Sequence, residues 1–287
     1  MEHQNVRTER VRGDGVDLHV EVAGAGPAVL LLHGFPESPR VWQHQVGPLV
    51  EAGFTAVMPE MRGYGRSGRP ARVGAYGLRR LVGDVAALAR AFGRGPVHVV
   101  GHDWGGVVGW AFASSHPDLL GRLVILNAPH LRRWAEEVRR PAQALRSAYA
   151  AAFQVPVLPE RALAAADFAL LRRMIRAAHA RKEALTPVDE DAYVDTLRPP
   201  GALTAALNYY RALRLPGARA FGERPTDAET LVVWGERDPA LGLGLLDGLG
   251  RVAPNARVHR VPHAGHTVQM EAPGEVNGVL VPFLLGG

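Results

Sequence analysis

No cysteine occurs among the 287 residues, which excludes disulfides, thiolate metal sites and a cysteine nucleophile. Lysine is nearly absent as well: Lys182 stands alone, so the net charge of +5 is carried by arginine. Those arginines are scattered among Ala, Gly and Pro. The short clusters Arg132-Arg133, Arg139-Arg140 and Arg172-Arg173 fall on expected helices, where a solvated face explains them better than a nucleic-acid surface. The chain also lacks the run of about 18 apolar residues that a membrane span requires. Its amino terminus, MEHQNVRTERVRGDG, has no apolar core of a secretory signal, so a cytoplasmic location is expected. What is present is ordinary for a globular protein: 47% hydrophobic and 21% charged residues. The length suits one large α/β domain, or one domain carrying an inserted module.

Read in order, Val6 to Val11 and Val16 to Ala23 alternate in polarity around Gly13-Asp14-Gly15, the pattern of a β-hairpin. Strands are expected at Ala28 to Leu32, Phe54 to Met58, Val97 to Val100, Arg122 to Leu126, Leu231 to Trp234 and Arg257 to Val261. Helices are expected at Pro39 to Ala52, Leu78 to Phe92, Val107 to His116, near Leu241 to Leu249, and from Gly274 to Leu285. Between about His130 and Leu215 the alternation stops and helix follows helix, punctuated by proline. This predicts an α/β fold with a mainly parallel central sheet flanked by helices, residues 1–129 and 216–287 forming the core and 130–215 a helical cap. Parallel sheets of this kind bind ligands at the carboxyl ends of their strands.

The stretch PVHVVGHDWGGVVGWAFA, Pro96 to Ala113, reads as strand, tight turn, helix. Its turn, Gly101-His102-Asp103-Trp104-Gly105, has the form of a nucleophile elbow with aspartate in the serine position. Glycines two residues to either side permit a strained backbone, so Asp103 projects alone at the edge of the sheet. At the start of a helix the macrodipole favours its ionised form. Two later strand-end loops supply a possible orienting acid and base: Gly235-Glu236-Arg237-Asp238 and Pro262-His263-Ala264-Gly265-His266. Chain order nucleophile, acid, histidine assigns Asp103, Asp238 and His266, with Glu236 and His263 as rivals. His33-Gly34-Phe35-Pro36 suits an oxyanion loop, with the N–H groups of Phe35 and Trp104 as donors and Pro36 as a candidate cis residue. Phe35, Pro36 and Trp104 are then also expected against the substrate.

Aspartate in place of serine changes the chemistry. Serine attacking a saturated carbon would form an ether that histidine and water do not readily cleave, whereas aspartate forms an ester that they can. The expected substrates are therefore electrophilic sp3 carbons, namely epoxides or alkyl halides.

Four segments, HGFPES at His33 to Ser38, GHDWGG at Gly101 to Gly106, RGYGRS at Arg62 to Ser67 and HAGHTVQMEAPGEVN at His263 to Asn277, resemble the epoxide hydrolase branch of the α/β-hydrolases. The likeness spans nearly the whole chain. Within the helical module, Tyr149 followed by Phe153-Gln154, and Asn208-Tyr209-Tyr210-Arg211, resemble that family's two lid motifs. The resemblance implies that Tyr149 and Tyr210 hydrogen-bond the epoxide oxygen and protonate it as the ring opens, with Tyr209 either packing beside them or standing in as the donor. It implies a small-molecule epoxide substrate, no cofactor, and a monomer or homodimer. Glu60 stands where relatives often carry aspartate, and Ala148 where an aromatic is common; the second bears on pocket width. A dehalogenase would use the same aspartate, but its halide is served by N–H donors, and here tyrosines dominate the lid. A binding protein without turnover is expected to lose a triad member, and none is missing. His263-x-x-His266 lacks a third ligand at useful spacing, so no metal is expected. His33 and His102 are expected to be satisfied structural histidines. Ser67 is no nucleophile, because Arg69 replaces the second elbow glycine.

Overall fold

The computed structural model describes residues 6–287, and of Ala218 and Arg219 the backbone alone. The first five residues of the polar amino terminus lie outside the described residues. Eight strands form one sheet: β1 (Arg7–Arg12), β2 (Asp17–Gly24), β3 (Ala28–Leu32), β4 (Thr55–Pro59), β5 (Val97–His102), β6 (Leu120–Leu126), β7 (Thr230–Gly235) and β8 (Ala256–Val261). Their spatial order is β1-β2-β4-β3-β5-β6-β7-β8. Only the pairings β1 with β2 and β2 with β4 are antiparallel. The remaining neighbours run parallel, as in β5 with β6 and β6 with β7.

Burial explains the strand sequences. β3, β4 and β7 are buried at every position, so they read as unbroken apolar runs without alternation. Helices cover the sheet: α1 (Val46–Glu51), α2 (Leu78–Phe92), α3 (Trp104–Ser115) and, later in the chain, a carboxyl-terminal helix at Pro273–Leu285. The core contact between α3 and the sheet is glycine-dependent. A Cβ on Gly109 would meet the end of the Leu123 side chain at 3.3 Å, so the helix packs closely on β6 here and a side chain at this position would need Leu123 to shift slightly.

Two expected helices are shorter than the sequence suggests. Pro39 to Ala52 splits into a 3-10 turn at Pro39–Trp42 and the six-residue α1. Pro48 lacks an N–H and its ring clashes with the preceding turn, so it is accommodated in the first turn of α1 but not in the interior of one helix running on from Pro39. Leu241 to Leu249 holds only 3-10 turns, at Leu243–Leu246 and Leu249–Arg251. Glycines at 242, 244 and 248 carry a helix cost of about 1 kcal/mol each relative to alanine, and tight turns bury Leu241, Leu245 and Leu249 without a longer helix.

Between β6 and β7 the described chain contains helices and no strand: α4 (Leu131–Glu137), α5 (Pro141–Arg146), α6 (Ala148–Ala152), α7 (Leu158–Ala178), α8 (Pro187–Leu197), α9 (Ala202–Ala212) and α10 (Ala218–Gly222). α7 is two helical runs, interrupted at Ala165–Phe168 where three residues have positive φ. α8 opens with a capping box, Thr186 and Asp189 exchanging hydrogen bonds with each other's backbone N–H. Two short helices, α11 (Val268–Glu271) and α12 (Pro273–Leu285), close the chain. Among the described residues, no helix is long and apolar enough to cross a membrane.

Candidate active site

Asp103 sits at the junction of β5 and α3 with φ 48° and ψ −119°, a conformation that a non-glycine residue adopts only under constraint. The constraint is close packing on both sides. A Cβ on Gly101 would lie 2.5 Å from the Gly105 carbonyl oxygen, and one on Gly105 would lie 2.0 Å from that of Leu32. Glycine is therefore required at both positions, and the turn pushes Asp103 out alone.

Its carboxylate accepts a hydrogen bond at one oxygen and has a histidine near the other. The Phe35 N–H donates to Oδ1 at 2.8 Å. His266 Nε2 lies 3.7 Å from Oδ2. Trp104 follows at the first position of α3, where the amide has no acceptor within the helix. The Phe35–Pro36 peptide bond is cis. Burial raises the Asp103 carboxyl above its ordinary range against the pull of His266, His102 and the Phe35 N–H. Desolvation thus outweighs the helix-terminus effect expected from the sequence.

His266 and Asp238 meet from neighbouring strand ends. The Nδ1–H of His266 donates to Asp238 Oδ2 at 2.7 Å. The Asp238 side chain is fully buried and receives three more hydrogen bonds, from the amides of Ala240 and Leu241 to Oδ1 and from Asn127 Nδ2 to Oδ2. Burial opposes its charge, yet His266 and these donors keep its carboxyl below the usual range. Burial likewise opposes protonation of His266, but Asp238, Asp103 and Glu37 together hold its pKa up to about 10. The rivals are engaged elsewhere. Glu236 pairs with Arg260 at 2.7 Å, and half-exposed His263 faces Glu275 at 3.7 Å.

The two tyrosines named from the lid motifs come together over this group. Tyr149 on α6 and Tyr210 on α9 stand edge to face with ring centroids 6.0 Å apart. Reciprocal bonds fasten the two helices: Gln154 Nε2 donates to the Tyr210 carbonyl at 3.1 Å, and Arg211 Nε donates to that of Phe153 at 2.9 Å. Burial, then the Asp103 charge, pushes the Tyr149 hydroxyl far up; burial, Tyr149 and Asp103 do the same for Tyr210. Both stay protonated. Tyr209 points away, donating to the Arg62 carbonyl at 2.7 Å, and so takes the packing role. Asp103, Tyr149 and Tyr210 border two cavities, one of about 330 Å³ with Trp104 in its wall and one of about 240 Å³ containing Phe35, Pro36 and His266. They form two arms meeting at the carboxylate.

Several residues here escaped the sequence reading. Asn127, at φ 38° after β6, joins the Asp238 loop to the sheet, accepting from the Gly235 amide at 2.7 Å while donating to Asp238. Its signal was the Asn-Ala-Pro that closes β6. Glu37 accepts from the Gly34 amide and faces His102 Nδ1, each at 2.9 Å, while His102 Nε2 faces the His266 carbonyl at 2.9 Å. Burial alone would raise the Glu37 carboxyl, but His102 and the Gly34 amide hold it low. His33, by contrast, is satisfied as expected, its Nδ1 donating to the Gly34 carbonyl and its Nε2 accepting from the Met61 amide, both at 3.0 Å. Ser67 is consumed by the His19 amide and the Glu60 carbonyl.

Comparison with known proteins identifies relatives of this chain. The alpha/beta hydrolase fold family's model matches residues 27–273. The chain is 36% identical to the AB hydrolase superfamily protein YfhM of Bacillus subtilis (strain 168), over 97% of this chain and 98% of that one. It is 34% identical to epoxide hydrolase 3 of Xenopus tropicalis, over 96% of this chain and 76% of that one. A crystal structure of the Bacillus megaterium epoxide hydrolase with an inhibitor superposes with a TM-score of 0.86 at 31% identity, covering 96% of this chain and 100% of that chain. The chain therefore belongs to the α/β-hydrolase fold family, in its epoxide hydrolase branch.

Proposed function

We propose that the protein opens epoxides to vicinal diols through an ester on Asp103, residues 130–215 acting as the cap that supplies the two tyrosines. The observation that carries this is the placement of one carboxylate between an amide donor, a histidine and two protonated tyrosines. Asp103 Oδ1 is taken by the Phe35 N–H, which leaves Oδ2 as the attacking oxygen. Attack on an epoxide carbon forms the Oδ2–C bond and breaks the ring C–O bond. The released alkoxide takes a proton from Tyr149 or Tyr210. The resulting tyrosinate recovers that proton at the expense of the His266 imidazolium, which leaves His266 neutral.

Ester formation also removes the Asp103 charge, one of the causes that hold the His266 pKa high. A neutral imidazole is thus favoured when a base is needed. It takes a proton from water as the hydroxide attacks Cγ of Asp103. The tetrahedral oxyanion develops on Oδ1, where the Phe35 and Trp104 amides receive it. Collapse breaks the ester, the departing diol oxygen takes the carboxyl proton, and Asp103 and His266 return to their starting charges. Epoxide and water are the only reactants. Hydroxyl donors in the cap favour an alkoxide over a halide as the group released, which argues for epoxides over haloalkanes.

A single turnover in oxygen-18 water tests the ester. The first diol should carry unlabelled oxygen from Asp103, with the label entering the Asp103 carboxylate. Label in the first diol and none in Asp103 would mean that water attacks the epoxide directly.

A further inference from the structure

The loop after β7 that carries Asp238 is held from two sides. From the sheet, Asn127 bonds to Gly235 and to Asp238. From the helical segment, α5 reaches the loop with two side chains at three backbone groups. Arg146 Nη1 donates to the Asp238 carbonyl at 2.6 Å. Gln143 Nε2 donates to the Ala240 carbonyl at 2.8 Å, and Gln143 Oε1 accepts from the Gly242 amide at 3.0 Å. A carbonyl only accepts and an amide N–H only donates, so these two partners fix which way the Gln143 side chain points.

Gln143 is only 3% exposed, and a primary amide so deeply buried is costly unless its donors and acceptor are met. Its Nε2 also donates to Ser147 Oγ, at 2.9 Å. Ser147 lies between α5 and α6, and α6 begins at Ala148, next to Tyr149. One side-chain amide therefore joins the root of the Tyr149 helix to the acid loop. Its bonds there flank the groups that hold Asp238, since the amides of Ala240 and Leu241 donate to Oδ1 at 2.8 and 2.9 Å. Both elements also border the space beside Asp103, Ser147 and Leu241 in the first arm and Arg146 and Ala240 in the second. The grip from α5 makes the position of the acid loop depend on where Tyr149 sits.

We infer that Gln143 and Arg146 are positioning residues: they act through the acid loop on Asp238, so that α5, seated over the cavity, sets the orientation of Asp238 against His266. Tyr149, needed for ring opening, and Asp238, needed for ester hydrolysis, are thereby held in one register. A misplacement of about 1 Å in groups that orient a reacting centre costs on the order of a hundred-fold in rate, so a loosened loop has a measurable effect. The inference rests on the reading of the protein as an epoxide hydrolase.

The test follows a single turnover of styrene oxide by stopped flow in the wild type, in Gln143→Met, which keeps the length of the side chain and removes its bonds, and in Arg146→Met and Arg146→Lys. Both methionine variants should slow hydrolysis of the ester by about ten-fold or more, and its formation by less than about three-fold, because the Tyr210 hydroxyl still serves the alkoxide. Arg146→Lys keeps a donor for the Asp238 carbonyl and should recover most of the loss. The methionine changes are then repeated beside Asp238→Asn. Acting through the acid, they should cost less than about two-fold there, a coupling that lost stability alone would not produce. Arg146 is exposed, so its variants should fold even if Gln143→Met does not. Hydrolysis unmoved in Arg146→Met, or an equal loss with and without the Asp238 carboxylate, overturns the inference, and wild-type turnover in that case leaves the proposed function standing. A wild type that forms neither ester nor diol overturns both.

Discussion

His266 Nε2 lies 3.7 Å from Asp103 Oδ2, near enough for each to feel the other's charge and too far for a hydrogen bond. The attacking oxygen is thus electrostatically coupled to the histidine without being capped by it. The opposite edge of the ring is locked to Asp238 at 2.7 Å. In the mechanism proposed above, this leaves Asp103 free to react with carbon, while its charge helps set the basicity of the histidine that activates water.

That coupling is measurable. Asp103→Asn removes one of the charges that raise His266, so the imidazole pKa, about 10 in the intact protein, should fall by about one unit or more. Nitrogen-detected NMR titration of the histidine ring checks this. An unchanged value would mean that Asp103 contributes nothing to the basicity of His266.

The same shifts set the pH profile. As pH falls, Asp103 takes a proton and loses nucleophilicity, and because burial raises its pKa the acidic limb should lie above the ordinary aspartate value of 3.8. As pH rises past about 10, His266 loses the proton that restores the tyrosine, so kcat/KM should fall again. A plateau extending well beyond that pH would show that the imidazolium has no part in the first step.

Removing the base should stall the second step, whereas in the first only the return of the tyrosine proton is lost and a single attack still goes through. In His266→Gln, Asp103 still attacks, so the ester should accumulate to one equivalent while kcat drops by about 10³-fold or more. Mass spectrometry should find the peptide containing Asp103 heavier by one substrate. An unmodified peptide would mean that the ester cannot form at all without His266.

Tyr149→Phe and Tyr210→Phe should each slow ester formation, by about ten- to a hundred-fold, because the second hydroxyl still serves the alkoxide. The double variant should lose far more than either. Stopped-flow measurement of the burst separates this step from hydrolysis, whose rate should change little.

Asn127→Ala tests the support beneath the acid. It leaves a buried Gly235 amide without its acceptor and removes a donor from Asp238, which should cost about 1–3 kcal/mol of stability. Denaturant unfolding gives the figure, and kcat should fall as Asp238 loosens.

Much of the site was readable because its pieces are local. The elbow is six consecutive residues, and the chain order of aspartate, acid and histidine needs no coordinates. Asn127 was not readable, since nothing local distinguishes an asparagine that ends a strand from one that holds a loop 108 residues further on. The glycine-rich stretch at 241–249 misled for the opposite reason. Its leucines have helical spacing, but their burial is met by two 3-10 turns, and the cost of its three glycines decides against a longer helix.

By itself the sequence determined the alternation of strands and helices, the projecting aspartate and the class of bond it attacks, because backbone strain and nucleophile chemistry are properties of short segments. Tertiary structure alone decided which of two acids faces His266, that Asp103 is buried enough for desolvation to outweigh its helix terminus, and that two cavity arms meet beside its carboxylate. Those outcomes depend on the distances and solvent exclusion created when β5, β7, β8 and the cap helices come together, quantities that no single segment carries.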